Sequence, residues 1–274
     1  MRLRTYNIAP LFLGTDGLTE TQSAELFKLK TRHADFLTEE DPKKKSKLKL
    51  TDKMEAELDR LLTLQENADK GIIELSQGAK TLIREYVDEE LYGYKPSFSS
   101  KETEKGNEVE IDSIDLYNRL FFTDHRKLVE GDKYFELRYG VIVGHPDVVC
   151  ELEKKVKDAK SSWNKKTFPK LPEDAYNATH VWQVKTYLYM LCKMTGEEWR
   201  KGEVFYALCD TPEGLVPEWE DDSLHVMSNV PLNMRLTIVD VELTDADIAH
   251  IERRIAAAMR YAAEYKEQLL NKNR

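Results

Sequence analysis

Cysteine is scarce in this chain: Cys150, Cys192 and Cys209 are too few and too widely spaced for a disulfide framework or a four-thiolate cluster, so reduced thiols are expected. Long apolar runs are missing too. No stretch approaches the ~18 residues that a membrane span requires. The opening MRLRTYNIAP lacks the basic segment, apolar stretch and small-residue cleavage site of a secretory signal, so a cytoplasmic location is expected. Nor is there a basic excess. Against 41 Lys and Arg stand 50 Asp and Glu, a formal net charge of −9, which argues against indiscriminate tight binding to a polyanion. It leaves room for an enzyme that places a local basic lining over a carboxylate centre. What is present, 274 residues with 41% hydrophobic and 33% charged side chains, can bury the core of one large domain with an appendage.

The first 70 residues read as helical and internally repetitive. Leu18, Thr19, Ala24, Glu25, Leu26 and Leu29 recur as Leu50, Thr51, Ala56, Glu57, Leu58 and Leu61, which predicts two similar helices. Thr19 with Gln22 has the form of a capping box, and Thr51 is placed to cap the second helix. The basic run Asp41 to Lys49 between them reads as a solvated loop more readily than as a dedicated DNA contact. A helical stretch from Gly71 to Tyr92 and a polar loop ending at Gly106 lead to the core. There, residues 110–122 are helical in period, 134–160 read as successive strands with a turn near Glu153 to Lys155, and 176–193 return to helix. Strands over 203–208 and 235–243 and a helix from about Asp245 to Leu270 complete a mixed α/β chain. The stripe Ile248, Ile251, Ile255, Met259, Ala262 and Leu269 on that helix reads as core packing.

The stretch Tyr139 to Ser162 carries the chemistry. Two apolar strands meet at Pro146-Asp147, and the third presents Val156, Asp158 and Lys160 at alternate positions, on one face. Hairpin pairing then brings Asp147 beside Asp158. Carboxylates forced together repel unless a cation sits between them, and oxygen-only ligands favour Mg²⁺ or Mn²⁺. Taken alone, these charges could equally face water on an edge strand. Glu110 projects from a helix face shared with Ile114, Tyr117 and Phe121, where a metal could compensate it or the helix N-terminus could favour its charge. Gln183 and Tyr187, four apart on a later helix, share a face beside Val184, Leu188 and Leu191. A polar pair there could bond a phosphate or simply edge a core helix.

Gly106-x-x-x-Glu110, Pro146-Asp147, Asp158-Ala159-Lys160 and Gln183-x-x-x-Tyr187, in that order, resemble the PD-(D/E)XK nuclease superfamily, with lambda-exonuclease-like (YqaJ-type) phage recombination nucleases and RecB-type domains the nearest pattern. The resemblance covers about residues 71–208. It implies a restriction-endonuclease-like core, a twisted mixed sheet flanked by helices over 71–274, with residues 1–70 as a helical extension. It implies Mg²⁺-dependent hydrolysis of DNA, Mn²⁺ being a possible substitute, by an exonuclease of phage-type recombination or repair in a bacterial or phage-infected cell. A structure-specific or restriction-type endonuclease is the alternative within the superfamily, and a catalytically silent nucleic-acid-binding or assembly protein the alternative outside enzymes. By the resemblance Asp147, Asp158, the Ala159 carbonyl and Glu110 hold the metal. Lys160 positions and helps deprotonate the attacking water, Gln183 orients that network, and Tyr187 sits beside it. The middle acid is Asp158 where many members carry Glu, and the four-cysteine iron–sulfur ligation of some relatives is absent, so no such cluster is expected. Ser76 falls near where lambda-type enzymes bind a 5′ phosphate. Lys154, Lys155, Lys157, Lys165, Lys166 and Lys170 supply an expected basic patch, with Trp163 and Phe168 as candidates for base stacking or packing. Duplex DNA with a free end is the expected partner. A single-strand annealing protein or self-association are candidate uses of the N-terminal helices.

Overall fold

The computed structural model of the chain describes residues 1–14, 16–95, 99–130 and 133–272. Its strands are β1 (Leu3–Arg4), β2 (Val129–Glu130), β3 (Lys133–Tyr134), β4 (Leu137–Tyr139), β5 (Ile142–Gly144), β6 (Val148–Cys150), β7 (Lys155–Ser161), β8 (Lys201–Ala207) and β9 (Leu236–Glu242). Its helices are α1 (Ala9–Phe12), α2 (Glu20–Thr38), α3 (Pro42–Leu48), α4 (Asp52–Asp69), α5 (Gln77–Tyr92), α6 (Lys101–Glu108), α7 (Glu110–Phe121), α8 (Pro172–Ala175), α9 (Ala178–Thr195) and α10 (Asp245–Asn271).

The expected mixed sheet is divided. Strands β6, β7, β8 and β9 form one sheet in that order, antiparallel except for the parallel β7–β8 pair, while β1 pairs parallel and β4 antiparallel with β5 in a second. The break falls at His145-Pro146-Asp147, where proline has no N–H to give to a ladder and a fixed φ. A parallel β7–β8 pair needs a long crossover, and the α9 segment supplies it. On one face of the larger sheet α9 contributes Val184 and Leu188 to the main core with Val156 and Val204. On the other, α7 contributes Ile114 and Tyr117 to a smaller cluster with Val148 and Phe205.

Three further expectations need correcting. Residues 3–12 belong to the main core, where Leu3, Ile8, Leu11 and Phe12 are buried, and not to a helical extension. The helical appendage therefore spans α2 to α4, with its own cluster of Leu26, Leu29, Leu50, Leu58 and Leu61. Within it the capping box at Thr19–Gln22 and the Thr51 cap are formed as expected. The basic run is helical instead of a loop: Asp41 caps α3 by accepting from Lys43 N, and Pro42 occupies its first turn. The polar loop expected up to Gly106 also ends early. Ser100 accepts from Thr103 N and starts α6, with Glu102 and Glu104 in the first turn; Pro96 to Phe98 of that loop lie outside the described residues.

Candidate active site

The β6–β7 register pairs Val148 with Lys157, so one residue further along Asp147 lies opposite Asp158. Alternation along β7 then turns Asp158 and Lys160 to the α9 face with Val156, while Lys157 and Ala159 face α7. Asp147 Oδ2 accepts from Ala159 N at 2.8 Å. In an extended strand a residue's N–H and C=O share a side, so the Ala159 carbonyl points to the same edge. Glu110 opens α7 and pairs with Lys127. Glu110, Asp147, Asp158, Ala159, Lys160 and Gln183 line one cavity of about 880 Å³.

Electrostatics in this cavity are unfavourable to its acids. Burial, then the Asp158 charge and the Glu110 carboxyl, holds the Asp147 carboxyl well above the usual carboxylate range. Asp158, 1% exposed, is raised by burial in spite of Lys160 at 2.7 Å from its Oδ2. Burial acts against the Lys160 charge, but Asp158 and Asp147 outweigh it and raise the ammonium's pKa. From Lys160 a hydrogen-bonded chain leads inward. Nζ donates to Gln183 Oε1 at 3.3 Å, Gln183 Nε2 to Tyr187 Oη at 3.2 Å, and Tyr187 Oη to the His145 carbonyl at 2.9 Å. Tyr187 is thus bonded to Gln183 from behind, 1% exposed and not part of the cavity lining.

The donor chemistry suits a hard divalent cation. Asp158 Oδ1 and Glu110 Oε1 are buried with no hydrogen-bond partner among the described residues, while Asp158 Oδ2 is held by the Lys160 ammonium. The ligand set is nevertheless not closed, since among the described residues no three His, Cys, Asp or Glu side chains converge into a metal-holding group. Glu110 is drawn to Lys127 and Asp158 to Lys160. The part that fits is Asp147, Asp158 and the adjacent carbonyl.

The expected basic patch is not assembled. Lys155 and Lys157 lie on the opposite face of β7 from Asp158 and pair with Glu203, and Lys154 pairs with Glu197 at 2.6 Å. Lys165 Nζ donates to the Ser223 carbonyl at 2.7 Å, and Lys170 Nζ to the carbonyls of Lys165 and Phe168 at 3.1 Å. None of these, nor Lys166, lines the cavity. Phe168 packs in the core. Trp163 lines the cavity with its indole N–H tied to Glu220 Oε2 at 3.1 Å. Ser76 caps α5 and lines a different cavity, with Arg60 and Lys80.

Sequence reasoning missed the N-terminal contribution. Thr5 Oγ1 donates to Tyr187 Oη at 3.0 Å, and Tyr6 lines the cavity. Gly144 is what admits them: a Cβ there would overlap the Thr5 side chain and come within 2.7 Å of Tyr187 Cε1. The signal was weak, a lone glycine at a strand end. His180 was missed too. It lines the cavity, its Nδ1 is 2.7 Å from Tyr206 Oη, and burial and the Lys160 charge lower its pKa to about 4, so the ring is neutral at pH 7.

No family model and no curated protein matches the chain. Solved structures do. A phage-related exonuclease from Haemophilus somnus 129PT is 23% identical with a TM-score of 0.64, over 74% of this chain and 88% of that one. An alkaline exonuclease from Laribacter hongkongensis is 13% identical with a TM-score of 0.50, over 74% of this chain and 88% of that one. The same enzyme in complex with dAMP matches at 16% identity and a TM-score of 0.50, over 72% of this chain and 86% of that one. The chain therefore has the mixed α/β fold of these exonucleases, in agreement with the PD-(D/E)XK fold that its four motifs imply.

Proposed function

We propose that this chain is a divalent-metal-dependent deoxyribonuclease that hydrolyses DNA from an end. The observation that carries the reading is the gathering of Asp147, Asp158 and Lys160 at one cavity, with the buried Asp158 Oδ1 accepting no hydrogen bond among the described residues. Phosphodiester hydrolysis needs a stronger nucleophile than water and a counter to the charge gathered in the transition state. Held by Asp147, Asp158 and the Ala159 carbonyl, with Glu110 beside them, Mg²⁺ or Mn²⁺ would supply both by acidifying a bound water and neutralising phosphate charge.

The chain's own groups supply position. Lys160, whose positive charge Asp158 and Asp147 favour, positions the attacking water and the phosphate beside the carboxylates. Gln183 holds the ammonium, and Tyr187 with Thr5 holds Gln183. End-directed degradation is preferred because the structures that share the fold are described as exonucleases, one of them with dAMP. A place in phage-type recombination or repair extends the same comparison.

End-labelled linear duplex and covalently closed circles, each incubated with Mg²⁺ and with chelator, test the reading. Shortening of linear DNA from an end, only with Mg²⁺, is the expected result. Rapid nicking of closed circles would replace exonuclease by endonuclease, and no cleavage of any DNA would leave a nucleic-acid-binding protein.

A further inference from the structure

The cavity carries two aromatic rings that its hydrolytic groups do not use. Tyr6 and Tyr176 both line it, and they are 59% and 63% exposed. Large rings left in water are worth explaining when they share a site with carboxylates and an ammonium, the more so as the other rings there, Trp163, His180 and Tyr206, are each tied by a hydrogen bond. Neither is on a loose segment. Tyr6 sits between Thr5, buried and bonded to Tyr187, and Asn7, whose Oδ1 accepts from Tyr86 Oη. Arg4, two residues before Tyr6, is fixed on Glu89. Tyr176 follows α8 directly and precedes Asn177, which caps α9 by accepting from Thr179 N at 2.8 Å. Two rigid backbones therefore hold two solvent-facing rings over one cavity.

We propose that Tyr6 and Tyr176 are stacking platforms for the bases of an unpaired strand, so that the terminal nucleotides of the substrate enter the cavity frayed. Size and chemistry point the same way. About 880 Å³ is a space of the order taken by a drug-sized ligand, enough for a few nucleotides but not for a duplex whose major groove alone is ~12 Å wide. Rings grip any base through its π-face, which suits an enzyme that must take every sequence in turn. With the basic patch dispersed, stacking also supplies affinity that the net charge of −9 does not.

The proposal rests on the nuclease reading, and a binding measurement separates the two. Single-stranded oligonucleotides with normal or abasic nucleotides at their ends are titrated, with Ca²⁺ in place of Mg²⁺, against wild type, Tyr6→Ala, Tyr176→Ala and the corresponding Tyr→Phe variants. Wild type and the Phe variants should prefer the base-bearing strand by roughly 5- to 100-fold, and each Ala variant should lose a large part of that preference while binding the abasic strand unchanged. Equal wild-type affinity for the two strands, or Ala variants that discriminate as well as wild type, overturns the stacking assignment, as does no binding at all. Discrimination without cleavage of any DNA would uphold the platforms and sink the nuclease reading. Cleavage without discrimination would do the reverse.

Discussion

At the scale of single residues the site is a place where the fold tolerates repulsion. The Asp147 carboxyl has its pKa raised by burial, Asp158 and Glu110. A folded-state pKa above the unfolded value means that the metal-free protein loses stability as pH rises from the ordinary carboxylate range through the folded value. Asp147→Asn removes that charge and keeps an acceptor for Ala159 N. In chelator at pH 7 the variant should melt above wild type, by about 2–4 °C for each kcal/mol relieved, with the gap closing in acid. Mn²⁺ should raise the wild-type Tm and leave the variant's nearly unmoved. Thermal melts across pH, with and without Mn²⁺, check this, and a variant less stable than wild type in chelator would contradict it. Glu110, Asp158, Lys160 and Gln183 were legible in the sequence because each lies on an element whose local period sets its direction, and Asp147 because it immediately precedes β6 and the hairpin register carries it opposite Asp158. Tyr6 and Thr5 were not, since nothing local announces that a two-residue strand will pair with Ile142 and Val143.

Elements explain both the successes and the misreading of charge. The lysines near the turn after β6 were grouped by nearness in sequence, but alternation along β7 sends 155 and 157 to one face and 158 and 160 to the other. On the α7 face Glu203 accepts from Lys157 Nζ at 2.9 Å and from Tyr117 Oη at 2.8 Å, and also pairs with Lys155. Burial tends to raise the Glu203 pKa, but its lysine partners and Tyr117 bring it below the usual value. A depressed folded-state pKa contributes stability above the unfolded carboxylate range that is lost as pH falls through the folded value. Glu203→Ala strands two lysines and should cost roughly 3–5 kcal/mol in chemical denaturation at pH 7, with the deficit shrinking in acid; a cost below ~1 kcal/mol would show that the lysines find water instead. Gly144→Ala should push β1 and the Thr5 turn off β5 and lower both stability and cleavage, whereas Arg138→Ala on the exposed side of β4 should do neither. Helix α3 was misread although its start signals, Asp41 followed by Pro42, were in plain sight, because charge was weighed before capping.

Among the described residues the apolar side chains gather in three clusters of different size, one of them in the appendage. The appendage, with α2 about 28 Å long, closes on five buried leucines, while the main core draws on every layer around the two sheets. The appendage should therefore open more readily. Hydrogen exchange followed by mass spectrometry should find amides of residues 20–69 exchanging well before those of β7 and β8; uniform protection would mean one cooperative unit. The central claim, that the cavity is a hydrolytic centre with Lys160 as its fixed cation, is tested most directly by single-turnover cleavage of an end-labelled linear duplex at saturating Mg²⁺, wild type against folded Lys160→Ala. The expected result is a chemical step slowed by roughly 10² or more, with DNA bound as before. Near-normal cleavage by Lys160→Ala would contradict the account.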